Sequence, residues 1–187
     1  MTINIAHPLQ EIIFKYHTGQ PFYLRSVDES FAESPALFAR IADVCNEPII
    51  YHFVFERRLE SVPYPVERAA HFIRWGKEGW ATQSWFSFLI VDQQGQIVGT
   101  IDIRGNDADG SEIGYWVSAA SSGVMTNAVL KLTQIGQRAG FRQFFALVFP
   151  ENQKSVAVLE RAGFVNKGDH IKDNMTLRRY ELVFDTV

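Results

Sequence analysis

The sequence predicts a mixed α+β protein built around a central sheet. Three β-rich segments, separated by short polar turns over residues 85–117, predict an antiparallel meander. Six consecutive apolar residues, Phe144–Phe149, are typical of a strand that is buried on both faces and runs parallel to its neighbour. A segment with helical periodicity, 124–138, lies between the meander and this strand, and a strand–helix–strand crossover of this kind is right-handed.

The composition is that of an ordinary soluble globular protein. The chain has 187 residues, which suits a single domain over 1–187 with a sizeable core. Hydrophobic residues make up 47% and aromatic residues 13%, which favours a tightly packed core or a large apolar cleft. The formal net charge is −3 and there is no block of Lys or Arg, so we expect no nucleic-acid partner.

Neither a disulfide nor a metal site is expected. Cys45 is the only cysteine, which excludes an intramolecular disulfide and a cysteine-based metal site. It lies on an apolar helical stretch, where a free cysteine is usually a small core residue. The five histidines are scattered along the chain without the spacing of metal ligands: His7, His17, His52, His71 and His170.

The N-terminal segment lacks the pattern of a secretory signal. Polar residues, Glu11, Lys15 and His17, interrupt its apolar stretch. No run in the chain approaches the ~20 apolar residues that a membrane-spanning helix needs. We therefore expect a cytoplasmic protein without a membrane partner.

In the first half, apolar periodicity predicts three helices and one strand. Asp28 or Ser30 is the expected N-cap of the second helix, and residues 49–63 show no clear pattern. The predicted elements are a helix with Leu9, Ile12, Ile13 and Tyr16 that stops at Gly19, a strand over Phe22–Val27, a helix with Leu37, Phe38, Ile41 and Val44, and a helix that starts between Pro63 and Pro65 and ends near Gly76 or Gly79.

The second half continues as a sheet with two helices, each ended by a glycine that can take the left-handed conformation. The polar segment 165–175 is rich in Gly, Asp, Asn and Lys and is expected to be a loop. The predicted elements are strands over Trp85–Val91, Ile97–Ile103 and Glu112–Val117, a helix over Val124–Arg138 ended by Gly140, the strand Phe144–Phe149, a helix over Asn152–Ala162 ended by Gly163, and a strand over Thr176–Phe184.

Four short motifs follow one another in the second half: Ile97-Val98-Gly99-Thr100, then Glu112-Ile113-Gly114-Tyr115-Trp116-Val117, then Gly123-Val124-Met125-Thr126-Asn127-Ala128, then Asn152-Gln153-Lys154-Ser155 leading to Leu159-Glu160-Arg161-Ala162-Gly163-Phe164. In this order and spacing they resemble the GNAT superfamily of N-acetyltransferases. The branch that looks closest, the RimJ/RimL-like enzymes, modifies the N-terminal α-amines of ribosomal proteins. The resemblance is sharp over 85–165, looser over 22–80 and absent from the first twenty residues.

The resemblance implies both a fold and a co-substrate. The implied fold is GNAT-like, a mixed and splayed central sheet flanked by helices. Residues 85–165 would form the acetyl-CoA-binding core, with the pantetheine arm between the two parallel strands, and 22–80 would supply the helices of the acceptor side. Backbone groups of Trp116, Val117 and Ser118 would pair with the pantetheine amides.

In this family, the joint between a strand and the following helix holds the pyrophosphate of acetyl-CoA. Unpaired N–H groups and partial positive charge at a helix start suit a phosphate, and glycine lets the backbone approach it. The family has a basic residue or glutamine before two spaced glycines in this loop. This chain keeps only the second glycine, Gly123, and its loop is about two residues shorter than the family's. The binding residues implied here are Ser118, Ser121, Ser122, Gly123, Val124, Met125 and Thr126. The alternative is an ordinary helix start with Ser122 as N-cap.

Acetyl transfer needs a base for the amine and a proton for the leaving thiolate. Glu112 is the candidate base, because a carboxylate partly removed from water among aromatic side chains becomes a stronger proton acceptor. By resemblance, Ser155 would face the sulfur and protonate it, and Asn152 would contact the co-substrate. The alternatives are a solvated Glu112 at the start of a strand and an ordinary helix start with Asn152 as N-cap.

The acceptor amine is expected to bind beside aromatic residues of the first half, because aromatic faces suit a cationic amine. The candidates, each of which is also a reasonable core residue, are Tyr51, His52, Tyr64, Trp75 and Trp80.

We therefore expect an acetyl-CoA-dependent N-acetyltransferase that acts on a primary amine, in particular the N-terminal amine of a protein or peptide, as a monomer or homodimer. Two alternatives stay open. One is a non-catalytic CoA-binding or regulatory relative, which the short loop favours. The other is an acetyltransferase of small molecules such as polyamines or antibiotics, for which Glu56, Glu60 and Glu67 are the acidic candidates.

Overall fold

The structure is a computed structural model that describes residues 3–184. Its centre is an eight-stranded mixed sheet in the order β1-β2-β3-β4-β5-β6-β8-β7. The strands are β1 Gln10–Phe14, β2 Pro21–Ser26, β3 Phe86–Val91, β4 Ile97–Ile103, β5 Ser111–Val117, β6 Gln143–Val148, β7 Val165–Lys172 and β8 Met175–Val183. The predicted α+β class and the antiparallel meander, now β3–β4–β5, are confirmed.

Five helices accompany the sheet in the described part of the chain. They are α1 Pro35–Cys45, α2, which starts as an α-helix over Pro48–Ile50 and continues as a π-helical turn over Tyr51–Phe55, α3 Val66–Thr82, α4 Met125–Ala139 and α5 Gln153–Arg161. A single 3₁₀ turn, Ala119–Ser121, lies between β5 and α4.

The helices form two layers, one on each face of the sheet. Successive residues of a strand point to opposite faces. Along β3, Phe88 and Ile90 belong to one buried cluster and Leu89 and Val91 to another, so the two clusters lie on opposite faces. The first cluster contains the apolar residues of α4 and α5, and the second contains those of α1 and most of α3. Cys45 is buried in the second cluster, as expected.

The sheet splays open between its two parallel strands. β5 and β6 pair only at Ser111 with Phe144 and at Glu112 with Phe145. β6 then pairs along its whole length with β8, and β5 along most of its length with β4. The ends of β5 and β6 beyond Glu112 are therefore free of each other, which confirms the splayed sheet.

The prediction of a helix over residues 9–16 is wrong, because Gln10–Phe14 forms strand β1. This strand pairs antiparallel with β2, from Gln10 opposite Arg25 to Phe14 opposite Pro21. Helical spacing of apolar residues would have buried one helix face, but Ile12 and Phe14 are about half exposed, at 49% and 52%. An edge strand needs only its partner's hydrogen bonds, which apolar periodicity does not reveal.

The polar segment after α5 is also a strand rather than the predicted loop. β7 pairs antiparallel with β8 through a tight turn at Asp173 and Asn174, both with positive φ, a conformation that Asp and Asn tolerate well. Nearly all of β7 is exposed, so its polar composition reflects its place at the edge of the sheet. The strand predicted at Phe144–Phe149 is observed one residue earlier, and its residues alternate between buried and half-buried rather than being buried on both faces.

The observed helix boundaries differ from the sequence-based predictions at two points. The N-cap of α1 is Ser34, whose side chain accepts a hydrogen bond from the N–H of Leu37, whereas Asp28 instead accepts hydrogen bonds from Ser26 and Ser30. Helix α3 passes both glycines that were expected to end it and stops at Gln83, which takes the left-handed conformation with φ of 54°.

Candidate active site

The opening between β5 and β6 holds two cavities that meet. The larger has a volume of about 900 Å³ and lies between α2, the end of β5 and the starts of α4 and α5. The smaller has a volume of about 160 Å³ and lies beside β6 and the turn before β8. Residues from α2, β5 and the start of α5 line both cavities: Phe53, Val54, Tyr115, Asn152 and Ser155. A molecule in one cavity can therefore reach a molecule in the other only beside these residues.

The free backbone groups of β5 point into this opening. In an antiparallel ladder, alternate residues direct their N–H and C=O groups to the neighbouring strand, and the residues between them direct theirs to the other side. The N–H of Ser118 donates to the carbonyl of Val98, and the N–H of Arg104 donates to that of Glu112, both at 2.7 Å. The even-numbered positions of β5 therefore face β4.

The odd-numbered positions, Tyr115 and Val117, consequently face the gap toward β6. No strand pairs with them there among the described residues, because the β5–β6 ladder ends at Glu112. The structure thus gives free backbone groups to Tyr115 and Val117, while the backbones of Trp116 and Ser118 belong to the ladder with β4. The side chains of Trp116 and Ser118 still line the larger cavity.

Two hydroxyl groups meet where the cavities join. The hydroxyl oxygens of Tyr115 and Ser155 lie 2.8 Å apart and share a hydrogen bond. The side chain of Asn152 caps α5 by accepting from the N–H of Ser155 at 3.2 Å, which fixes the first turn of the helix. Asn152 is therefore the N-cap, as the alternative of an ordinary helix start predicts. It also lines both cavities, so capping the helix does not exclude contact with a ligand.

The phenol of Tyr115 is buried and hydrogen-bonded. Burial raises the pKa of its phenol above the ordinary value, because the phenolate is poorly solvated there, and the hydrogen bond with Ser155 only partly opposes this. The phenol therefore keeps its proton at any pH near neutrality and is available as a hydrogen-bond donor.

The start of α4 borders the larger cavity with backbone N–H groups that no side chain caps. Its N-cap position is Val124, with no side-chain hydrogen bond to the free N–H groups, so Ser122 is not the cap. Gly123 takes a positive φ of 93°, and Ser122, Gly123 and Met125 line the cavity. Ser121, Val124 and Thr126 are buried, at 7%, 0% and 5% exposure, so any contribution they make comes from the backbone.

Two basic residues of α5 also line the larger cavity. Lys154 and Arg161 are exposed there, and neither has a carboxylate within 4.0 Å among residues 3–184. The guanidinium of Arg161 donates to the hydroxyl of Thr126 at 3.2 Å, which holds it over the start of α4. Uncompensated cations beside free N–H groups are what a phosphate-bearing ligand needs.

One carboxylate occupies the beginning of the same loop. Glu47, just before α2, accepts from the hydroxyl of Ser118 at 2.6 Å and from the N–H of Ala119 at 2.8 Å. These bonds tie α2 to the end of β5 and so position one wall of the cavity. They also use the hydroxyl of Ser118, whose backbone, and not its hydroxyl, was the group that the sequence assigned to the pantetheine.

A chain of ion pairs crosses the smaller cavity. Arg104 contacts the buried Asp102 at 3.0 Å and one oxygen of Glu112 at 2.9 Å, and Lys172 contacts the other oxygen of Glu112 at 3.1 Å. The carboxylate of Asp102 raises the pKa of Arg104, so the guanidinium stays charged. The sequence predicts Glu112 among aromatic side chains, but the structure holds it between two cations. Gly114 makes room for this crossing, because a Cβ there would lie 2.0 Å from the guanidinium of Arg104.

The remaining wall of the smaller cavity is basic and aromatic. The guanidinium of Arg57 lies 4.2 Å from the ring centre of Phe149, and the ring of Phe53 lies 6.3 Å from the same ring. Arg57 and Arg58 have no carboxylate within 4.0 Å in the described part of the chain. His52 also lines this cavity and pairs through Nδ1 with Glu56 at 2.7 Å.

Of the five predicted acceptor residues, only His52 reaches the cavity. Trp80 is fully buried at 0% exposure and donates to the carbonyl of Ser87, and Tyr64 is buried against Phe55. Trp75 stacks on Trp85, and the hydroxyl of Tyr51 donates to the carbonyl of Val62. These four large side chains therefore stabilise the helices of the acceptor side instead of contacting the acceptor.

Several site residues escaped the sequence analysis. Tyr115 stood within a recognised motif but had no assigned role, and its contact with Ser155 requires the strand–helix geometry. Lys154 and Arg161 stood within the recognised motifs but had no assigned role. Arg104, Arg57 and Phe149 lie outside those motifs, so only the folded chain brings them to the site.

Two features are absent from the part of the chain that the structure describes: a metal-binding cluster and a membrane-spanning helix. Within residues 3–184, no three His, Cys, Asp or Glu side chains are grouped so that they could hold a metal ion. No helix among the described residues is both long enough and apolar enough to cross a membrane.

Comparison with protein families adds independent information to this geometry. The family model described as an acetyltransferase (GNAT) domain matches residues 23–165. No curated protein gives a significant sequence match.

Solved structures with the same fold cover most of the chain. Mycobacterium smegmatis RimJ in complex with CoA-disulfide has a TM-score of 0.75 and 19% identity, covering 97% of this chain and 90% of that chain. RimL, a ribosomal L7/L12 α-N-protein acetyltransferase in complex with coenzyme A, has a TM-score of 0.70 and 17% identity, covering 94% of this chain and 99% of that chain. The microcin C7 self-immunity acetyltransferase MccE, in complex with acetyl-CoA and AMP, has a TM-score of 0.70 and 19% identity, covering 87% of this chain and 92% of that chain. At such low identity, the likeness shows a shared fold.

Proposed function

The chain belongs to the GNAT acetyltransferases and is an acetyl-CoA-dependent N-acetyltransferase, and from this premise we propose that it acetylates the α-amine at the N-terminus of a protein or peptide. The observation that carries this proposal is the meeting of two cavities at Tyr115, Asn152 and Ser155. One cavity suits a long phosphate-bearing co-substrate, and the other suits a small acceptor group.

The larger cavity fits acetyl-CoA in both size and chemistry. Its volume of about 900 Å³ lies within the usual range of about 300–1,000 Å³ for small-molecule sites. The free backbone groups of Tyr115 and Val117 would pair with the pantetheine amides, and Lys154, Arg161 and the start of α4 would hold the phosphates. The co-substrate supplies the activated acetyl group, and the chain positions it and handles the protons.

The proton for the leaving thiolate would come from the Tyr115–Ser155 pair. A serine hydroxyl alone is a poor acid, and burial makes the Tyr115 phenol a weaker acid than an exposed tyrosine, so the proton would be transferred along a hydrogen bond to the sulfur as negative charge develops on it. Because the two hydroxyls share a hydrogen bond of 2.8 Å, a proton given up by one is replaced from the other. Ser155 therefore keeps the role proposed for it, with Tyr115 as its partner.

The acceptor amine would lose its proton in the smaller cavity. Glu112 lines this cavity and is the proposed base, either directly or through a water molecule. Arg104 and Lys172 fix the position of its carboxylate. The cations around the cavity destabilise a bound ammonium group and so favour the loss of its proton, which yields the neutral amine that is the nucleophile.

The charge of the smaller cavity argues against a polycationic acceptor. Four cationic side chains and two carboxylates line it: Arg57, Arg58, Arg104, Lys172, Glu112 and Asp173. A polyamine or aminoglycoside would bring several positive charges into this surplus of cations and be repelled. The acidic residues that could have suited such an acceptor, Glu56, Glu60 and Glu67, do not line the cavity.

An amine panel tests the proposal. The panel contains a peptide with a free α-amine, the same peptide with a blocked N-terminus and an internal lysine, spermidine and a free amino acid. We expect the free α-amine peptide to have the highest kcat/KM, by about tenfold or more, which corresponds to ~1.4 kcal/mol of transition-state stabilisation. Release of free thiol from acetyl-CoA measures the rate, and mass spectrometry locates the acetyl group. Preference for spermidine or for the lysine side chain would overturn the proposed acceptor.

A further inference from the structure

We propose that Lys15, at the end of the N-terminal strand β1, supplies a cation for the phosphates of acetyl-CoA that the loop before α4 lacks. The inference rests on the proposed placement of acetyl-CoA in the larger cavity. Lys15 lies outside the matched family region of 23–165 and within the first twenty residues, for which the sequence resembles nothing in the family.

The side chain of Lys15 runs along the open face of Gly123. A Cβ built on Gly123 would lie 3.6 Å from Cγ and 3.8 Å from Cε of Lys15. The lysine stem therefore packs against the glycine, on the loop that borders the larger cavity. Because the stem is flexible beyond Cγ, its ammonium group can reach an anion bound at the start of α4.

Backbone hydrogen bonds hold the turn after β1 against the same loop. The N–H of Tyr16 donates to the carbonyl of Gly123 at 3.0 Å, and the side-chain amide of Asn127 donates to the carbonyl of Phe14 at 2.6 Å. These two bonds flank Lys15 on both sides in the chain. The position of the lysine beside the loop is thus fixed by the fold and not only by its own side chain.

Lys15 is also free to bind an anion. Among residues 3–184 no carboxylate lies within 4.0 Å of its ammonium group. Lys131, in contrast, pairs with Glu11 at 3.3 Å on the neighbouring surface of α4. The loop itself, Ser118–Thr126, contains no basic residue, so a cation for this loop has to come from another part of the chain, and Lys15 contacts it at Gly123.

The test separates the phosphates from the rest of the co-substrate. Lys15→Met removes the charge but keeps the stem, and Lys131→Met is the matched control on the same side of the molecule. Binding of CoA and of pantetheine, which lacks the nucleotide phosphates, is measured by calorimetry. Transfer from acetyl-CoA and from acetyl-pantetheine is measured with one amine acceptor.

We expect Lys15→Met to weaken CoA binding about tenfold and to raise the KM for acetyl-CoA to a similar extent, because a charge-assisted contact to phosphate is lost. Pantetheine binding and transfer from acetyl-pantetheine should not change, and Lys131→Met should behave like the parent protein. Equal CoA affinity in the Lys15 variant and the parent would overturn the inference, as would an equal loss for CoA and pantetheine.

The outcome is independent of the acceptor proposed above. If the parent protein binds CoA but acetylates no peptide, the proposed acceptor fails while the calorimetric comparison still decides the role of Lys15. Circular dichroism of the Lys15 variant checks that the fold is kept. Lys15→Arg should restore most of the CoA affinity, a result that a merely structural role for the lysine stem would not produce.

Discussion

Turnover should depend most directly on the paired hydroxyl groups of Tyr115 and Ser155. Tyr115→Phe and Ser155→Ala each remove one hydroxyl and leave the wall of the cavity in place. We expect each variant to lower kcat about 10- to 100-fold with little change in the KM for acetyl-CoA, because proton transfer is made only in the transition state. Steady-state kinetics with saturating acceptor measures both constants.

The two hydroxyls should behave as one unit. If they share a single proton path, the double variant should be hardly slower than either single variant. Independent, multiplying losses would show that the 2.8 Å contact between them has no role in turnover. A drop in acetyl-CoA affinity as large as the drop in kcat would instead assign them to binding.

The pH dependence of turnover gives a second residue-level prediction. Burial raises the pKa of Tyr115, so its phenol stays protonated above the ordinary tyrosine value of about 10. The alkaline side of the kcat profile should therefore stay level up to about pH 10. A descending limb between pH 8 and 10 that disappears in Tyr115→Phe would contradict this environment.

At the scale of elements, strand β5 is built so that Arg104 can cross it. A Cβ on Gly114 would lie 2.0 Å from the guanidinium, so Gly114→Ala should displace Arg104 and leave Asp102 buried without its cation. We expect a loss of about 1–3 kcal/mol in the free energy of unfolding and a higher KM for the acceptor. Urea unfolding measures the first and steady-state kinetics the second.

Gly110→Ala is the control for that experiment. No atom lies within 4 Å of a Cβ built at Gly110, which is in the turn before β5. The control should keep the stability and the acceptor KM of the parent protein. Equal effects of the two substitutions would show that the loss comes from the glycine backbone and not from Arg104.

The sequence predicted the central elements well and the edges of the sheet poorly. Strands β3–β5 and helices α4 and α5 have strong periodicity and glycine stops, and they form within about two residues of the predicted bounds. Strands β1 and β7 are edges: β7 is almost wholly exposed, and the exposed positions of β1 include the apolar Ile12 and Phe14, so its sequence does not alternate between polar and apolar residues. Pairing with the next strand of a hairpin decides their conformation, and the apolar periodicity of a single segment does not reveal it.

The site was predictable where its parts lie in one motif. Asn152 and Ser155 lie three residues apart in the sequence and line the junction of the cavities. The acceptor residues were chosen for aromatic character, and Trp80 shows why that fails, since a large aromatic side chain is most often buried in the core. The basic residues of the smaller cavity come from the turns after α2 and β4 and from the end of β7, which only the tertiary fold brings together.

At the scale of the whole molecule, a weakly acidic protein carries a basic acceptor cavity. The net charge is −3, yet Arg57 and Arg58 at this cavity have no acidic partner within 4.0 Å among residues 3–184. We therefore expect peptides with Asp or Glu near the free N-terminus to have a kcat/KM about tenfold above that of peptides with Lys there. The difference should shrink at high salt.

Charge reversal is the control for this selectivity. Arg57→Glu and Arg58→Glu together should reverse the peptide preference without changing the KM for acetyl-CoA. A preference that survives the reversal would mean that the charge of these two residues does not select the acceptor. The Lys131→Met variant, at a residue of α4 that lines neither cavity, should leave the preference unchanged.

The central claim is that the opening between β5 and β6 holds acetyl-CoA with its sulfur at the junction of the two cavities. A crystal structure of the protein grown with CoA tests this most directly. We predict the sulfur within hydrogen-bond distance of the Tyr115 or Ser155 hydroxyl, the pantetheine amides on the backbone of Tyr115 and Val117, and the pyrophosphate at Gly123. A CoA molecule bound elsewhere, or a sulfur remote from both hydroxyls, would contradict the account.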